Sequence, residues 1–174
     1  GVYIMGILNV TPDSFSDGGR WTDMDAALRQ AERMAAEGAA IIDVGGESTR
    51  PGHTPVDARE EASRVLPVIE AVKRETGLPV SVDTYRHETA RLALEAGADM
   101  VNDIWGLRYD GGEMARLIAQ SGAACCLMHN RKSAEYSDFM PELLEDLRGT
   151  LDLAAAAGIA RERIILDPGI GFAK

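Results

Sequence analysis

Apolar positions along the chain fall into two alternating kinds of segment. Short, nearly continuous apolar runs are separated by longer stretches whose apolar residues return every three or four positions, the period of a helix. At each changeover an amphipathic stretch ends at a glycine and an apolar run follows within a few residues. This happens at residues 37–45, 96–103 and 121–129, and more weakly at 76–83 and 157–167. Glycine just past a helix end can take the left-handed conformation that closes the last turn, so the chain doubles straight back into a strand. With an opening strand over residues 3–10, about six strands alternate with helices. Their near-continuous apolar character is that of strands covered on both faces, as in a parallel sheet built from βα units.

The helical stretches carry signals of their own. Val65, Ile69 and Val72 share one face of the second, and Pro67 within it predicts a kink or a late start. Asp110 and Glu113 have capping-box spacing ahead of a stripe of Met114, Leu117 and Ile118. Leu143, Leu144, Leu147 and Leu151 form the expected buried stripe of the fifth helix.

Composition narrows the class. The chain has 174 residues, 45% hydrophobic and 26% charged, which suits one globular domain spanning residues 1–174. Its 28 acidic and 18 basic residues leave a net charge of −10, which speaks against a nucleic-acid partner. No apolar run approaches the roughly 20 residues that span a bilayer, so no membrane is expected. Cys125 and Cys126 are neighbours that point to opposite faces of a strand and cannot easily bridge. A reducing cytoplasm is the expected location. The first residue is not Met, and the chain is expected to begin inside a longer protein.

Two architectures repeat βα units: the closed barrel and the open doubly wound sheet. No Gly-x-Gly-x-x-Gly follows the first strand, which removes the main support for a dinucleotide fold. Polar residues instead appear at the strand ends, at Asn9, Asp43, Asp83, Asn102, His129 and Asp167. In a barrel these ends form one rim over one pocket. The expected fold is therefore α/β, a (β/α)8 TIM barrel truncated after about six strands.

The first loop, residues 9–19, is rich in Ser, Asp and Gly, with Phe15 at its centre. A phenyl ring there reads as a lid wall over a flat ligand. The second, residues 45–52, combines glycines with Ser48, Thr49 and Arg50, donors suited to phosphate oxygens. Asp83, Asn102 and Asp167 offer carboxylates and an amide that match a heterocycle edge of alternating N–H donors and acceptors. They lack a neighbouring histidine at ligand spacing and make a poor metal triad. His53 and His87 receive no role.

Residues 5–19 resemble the first signature of the dihydropteroate synthases, and residues 45–52 the second. Residues 81–84, 101–103, 127–129 and 167–172 fall in the order of that family. The resemblance implies an enzyme that joins 6-hydroxymethyl-7,8-dihydropterin diphosphate to 4-aminobenzoate, releasing 7,8-dihydropteroate and diphosphate. It also implies roles for individual residues. Asp83, Asn102 and Asp167 would bond the pterin edge, with Ile104 and Met128 packed around the ring. Asn9 would ligate Mg²⁺ or contact the diphosphate, Thr49 would bind the diphosphate, and Arg50 would order the second loop. Phe15, Pro51 and Phe172 would wall the 4-aminobenzoate site. A homodimer is the expected state of the full-length parent.

The family's later Ser-Arg-Lys and Arg-x-His motifs are not in this chain, so the piece alone is expected to be inactive and poorly folded. Ala173 stands where the family commonly has glycine, and a positive φ there would be strained. Two alternatives remain open at this stage: a methyltetrahydrofolate–corrinoid methyltransferase barrel, and an inactive pterin-binding fragment.

Overall fold

The computed structural model describes residues 1–11, 20–48 and 55–174. Six strands and five helices alternate. They are β1 (Met5–Asn9), α1 (Arg20–Ala36), β2 (Ile41–Gly45), α2 (Ala58–Thr76), β3 (Val80–Asp83), α3 (His87–Glu95), β4 (Met100–Asp103), α4 (Glu113–Ser121), β5 (Ala124–Met128), α5 (Phe139–Ala157) and β6 (Ile164–Asp167). All paired strands are parallel, and their order in the sheet is their order in the chain. A doubly wound sheet reverses strand order at a switch point, and none occurs among these strands. The architecture is an open arc of a (β/α)8-type barrel.

Register sorts the side chains into two faces. Leu8, Val44, Val82, Val101 and Cys125 align across adjacent strands and point toward the helices. With Val65, Ile69 and Val72 of α2, Met114 and Ile118 of α4, and Ala154 of α5 they form one buried core. Asn9, Gly45, Asp83, Asn102, Cys126 and Ile165 align in the next register layer and point the other way, as alternation along a strand requires. On that concave face Ile7 and Ile165, on the two outermost strands, are 64% and 50% exposed.

Several local expectations change in detail. The first strand begins at Met5, and Tyr3 is 80% exposed. Pro67 does not delay the start of α2. The helix starts at Ala58, with Asp57 accepting a hydrogen bond from the Glu60 N–H at 2.7 Å, and Pro67 lies on its exposed side. The Asp110–Glu113 capping box is half formed. Asp110 accepts from the Met114 N–H at 3.1 Å, but Glu113 turns to Arg116. In α5 the buried positions are Leu143, Thr150 and Ala154, while Leu144 is 44% exposed. Both cysteines are free and buried, as adjacency requires.

Ile69 is fully buried between α2 and the sheet. Ile69→Ala is expected to cost about 3 kcal/mol of folding stability, measured by urea denaturation of the full-length protein.

Candidate active site

The concave face concentrates polar side chains at the C-terminal ends of the strands. Asp83 and Asn102 are direct register partners on β3 and β4. Gly45 is the partner of Asp83 on the other side and of Asn9 on β1. A Cβ added at Gly45 would lie 3.3 Å from Asp83 Oδ2 and 3.4 Å from Asn9 Oδ1. A larger residue would therefore crowd both side chains, which gives glycine a steric reason at this position. Asp167 ends β6 opposite Met128. Its Oδ1 accepts the Gly169 N–H at 2.7 Å and so fixes the turn that leads to Phe172. Gly169 has φ +68°, and a Cβ there would sit 2.2 Å from the His129 carbonyl oxygen, so that turn admits only glycine.

Two of the six polar positions at strand ends lie elsewhere. Asp43 is in the middle of β2, one layer below Gly45, and is buried. Its Oδ2 accepts a hydrogen bond from Asn102 Nδ2 at 2.9 Å. His129 lies just past β5 with its ring turned toward α5, where Nε2 is 2.8 Å from Asp146 Oδ2. His129, Met128, Asn130, Asp146, Thr150 and two arginines, Arg108 and Arg131, line a cavity of about 260 Å³ beside α5.

The electrostatics of the concave face are dominated by like charges. Burial pushes the Asp83 carboxyl well above the usual carboxylate range, and Asp43, Glu61, Asp103 and Glu47 push it further. Burial also raises Asp43, against the opposing effect of the Ser81 and Asn102 side chains. In the same layer as Asp83, the Cys126 thiol is pushed up to about 12, by burial first and then by Asp167, Asp43 and Asp83 among others. Three carboxyls from three strands thus bear on one point of the face, and the thiol among them is unreactive at neutral pH. Such a face suits a ligand that brings N–H donors.

Behind this face an ion network joins the roots of two loops. Arg86, just after β3, bonds Glu47 and also reaches Glu61 of α2 at 3.1 Å. Tyr85 donates its hydroxyl to Glu47 Oε1 at 2.8 Å, and Thr89 donates to Glu61 Oε2 at 2.8 Å. Both glutamates are buried. Burial works against the Arg86 charge, but the Glu47 hydrogen bond and the two carboxylates hold its pKa above the usual range. Removing one member of such a group strands the others without a counter-charge. Sequence reading missed this network, although Glu61 precedes Val65 by one helical turn on the apolar face of α2 and was visible there.

Asp103 points to the helix side and organises the turn after β4. It accepts from the Trp105 N–H at 2.9 Å and the Leu107 N–H at 2.8 Å. Leu107 has φ +68°, rare for a branched side chain, and this pair of bonds helps to hold it there. Ile104, in the same turn, is half-buried. Phe172 is half-buried, and its N–H donates to the Gly169 carbonyl oxygen. Ala173 does adopt a positive φ, +47°. His87 is half-buried with Nδ1 3.0 Å from Asp110. Phe15, Thr49, Arg50 and Pro51, together with His53, lie outside the described residues.

Among the described residues no three His, Cys, Asp or Glu side chains cluster as a metal cage. Asn9 nevertheless fits a single protein ligand. It is exposed at the end of β1, and its amide oxygen shares the space above Gly45 with the Asp83 carboxyl. Magnesium commonly takes one or two protein oxygens and completes its shell with water and substrate phosphates. No described helix is long and apolar enough to cross a membrane.

Over residues 5–174 the chain matches the family described as pterin binding enzyme, and it belongs to that family. Among individual relatives it is 54% identical over 172 residues to a dihydropteroate synthase of Clostridium beijerinckii, covering 99% of this chain and 64% of the relative. It also superposes on a solved dihydropteroate synthase of Clostridium difficile, determined in the presence of pteroic acid. There the TM-score is 0.95 at 50% identity, covering 99% of this chain and 65% of that one. A Xanthomonas albilineans dihydropteroate synthase with 4-aminobenzoic acid gives a TM-score of 0.93 at 46% identity, covering 99% and 63%. The chain thus spans about two-thirds of the length of the proteins it matches.

Burial, opposed by the backbone bonds of the turn, raises Asp103 from 3.8 to about 6. A folded value above the unfolded one means that the native state keeps a proton the unfolded chain has released. Its contribution is complete below pH 4 and is lost as pH rises to about 6, a loss of about 3 kcal/mol at most. Urea titrations from pH 4 to 7 should show wild type losing about that much relative to Asp103→Asn.

Proposed function

We propose that this chain is part of a dihydropteroate synthase and that its concave face holds the pterin. The observation that carries the reading is the Asp83–Asn102 pair, set side by side on an acceptor-rich face that Asp167 shares. The relatives found with pteroic acid and with 4-aminobenzoic acid support it. In this reading residues 1–174 form a single barrel domain that is incomplete at its C-terminal side. Asp83, Asn102 and Asp167 bond the pterin edge, and Ile104 and Met128 pack around the ring. Phe15, Pro51 and Phe172 wall the 4-aminobenzoate site. Thr49 binds the diphosphate, and Arg50 orders its loop.

The reaction forms a bond between the arylamine nitrogen and the pterin methylene carbon. The methylene C–O bond breaks, its electron pair leaves with diphosphate, and the nitrogen loses one proton to water. An arylamine attacks as the neutral base, so the chain need supply no general base. Its task is to hold the pterin, orient the methylene and accept the leaving group. Asn9 would hold Mg²⁺, which, when bound, stabilises charge on the departing diphosphate. The full-length protein is read as a cytoplasmic homodimer acting on small molecules.

Asp83→Ala and Asp167→Ala in the full-length protein should each weaken pterin binding by about 1–3 kcal/mol, since ligand N–H groups would be buried without acceptors. Isothermal titration with a dihydropterin diphosphate analogue measures this, and unchanged affinity in both variants would refute the assignment. The 174-residue chain by itself is expected to melt without cooperativity and to show no turnover. A soluble monomer that melts sharply and forms dihydropteroate would overturn that expectation.

A further inference from the structure

Asn102 and Asp43 are bonded although their strands are not neighbours. The Asn102 side chain on β4 reaches past β3 to β2 and gives one amide hydrogen to Asp43 Oδ2 at 2.9 Å. The path is open because Ser81, the register partner of Asp43 on β3, is small. Asp43 is only 2% exposed and Ser81 is fully buried. Neither Asp43 Oδ1 nor Ser81 Oγ has a hydrogen-bond partner among the described residues. A buried carboxyl set beside Asp83, with no basic partner among the described residues and at most a poorly aligned contact to the Ser81 hydroxyl, weakens the fold; hydrophobic residues of similar size would suit stability better. Its use must be sought in what it does to Asn102.

An asparagine amide presents a carbonyl oxygen on one side and an NH₂ on the other. Rotation by half a turn exchanges them and inverts the order of donor and acceptor offered to a ligand. A carboxyl oxygen as partner accepts the NH₂ side, whereas a carbonyl turned toward it would meet repulsion. We propose that Asp43 is a positioning residue for specificity. By taking one Asn102 hydrogen it fixes which way the amide faces, so the pocket offers a fixed order of carbonyl acceptor and second N–H donor. This rests on the reading of the face as a pterin site and names the element within it that selects among heterocycles.

The selection has a definite chemical form. Replacing the 2-amino group of a pterin by a carbonyl gives a lumazine, and the adjacent ring nitrogen changes from acceptor to N–H donor. A fixed amide cannot follow that inversion, but a free one can rotate to meet it.

The test uses the full-length protein and isothermal titration with 6-hydroxymethyl-7,8-dihydropterin and the matching dihydrolumazine. Wild type should prefer the pterin at least tenfold. In Asp43→Ala the preference should shrink to within about threefold, chiefly through loss of pterin affinity. Asp43→Asn can turn either an oxygen or an NH₂ toward Asn102, so it too should lose most of the preference. Ser81→Ala leaves the Asn102 partner in place and should keep it. A wild-type preference in Asp43→Ala, or its collapse in Ser81→Ala, would overturn the proposal. A second measurement needs no variant to fold. One of the two side-chain amide protons of Asn102 in wild type, the one bonded to Asp43, should exchange slowly with solvent. Solvent exchange of both at the rate of a free amide would also sink it. If wild type binds neither heterocycle, the pterin assignment itself fails and takes this proposal with it.

Discussion

Parallel register governs this molecule more than any single contact. Six strands pair in chain order, and side chains alternate between two faces along each. Every aligned row is therefore either wholly on the helix side or wholly on the concave side. The row through Leu8, Val44, Val82, Val101 and Cys125 can be entirely apolar because helices cover it. The row through Asn9, Gly45, Asp83, Asn102 and Cys126 can be polar because the adjoining apolar row supplies the burial that holds the strands. A shift of one residue in any strand would exchange the two rows, placing carboxyls in the core and valines in the pocket.

That division leaves the concave face with an electrostatic problem that it solves only in part. Asp43, Asp83 and Asp167 bear on the same region, and none of them has a basic side chain as a hydrogen-bond partner among the described residues. Burial raises Asp43, and burial with the neighbouring carboxylates raises Asp83. The contrast with the network behind the face is instructive. There Glu47 and Glu61 are buried as Asp43 is, but Arg86, Tyr85 and Thr89 supply donors. One acidic cluster is satisfied by the fold itself. The other has acceptors to spare, which is the condition of a surface built for a donor-bearing ligand.

Much of the fold was legible before any coordinates. The recurrent glycine after each amphipathic stretch marked the helix ends, and Gly77, Gly122 and Gly158 do close α2, α4 and α5 in left-handed conformations. The stripe of Val65, Ile69 and Val72 was correctly read as core. Errors arose where a local pattern competed with packing. The four leucines of α5 looked like one stripe, but the helix buries Thr150 and Ala154 and leaves Leu144 outside. Pro67 was read as a kink or a late start, and the helix starts well before it, at Ala58. On the exposed side of a long helix with packed neighbours it is tolerated. Asp43 and His129 were counted with the strand-end residues because both follow apolar runs. A run of letters does not say where pairing stops or which face a residue takes.

The sequence by itself determined the alternation of strands and helices, the absence of a dinucleotide loop, and the identity of Asp83, Asn102 and Asp167 as residues of one rim. These follow from local periodicity and from short motifs, whose meaning is carried by neighbours in the chain. Only the tertiary structure decided that Asn102 leans on Asp43 across an intervening strand, that Arg86 ties Glu47 to Glu61, and that the His129 ring belongs to α5. Each of these pairings joins residues 17 to 59 positions apart through space. Partners at that separation are selected by register and helix packing, which no local pattern encodes.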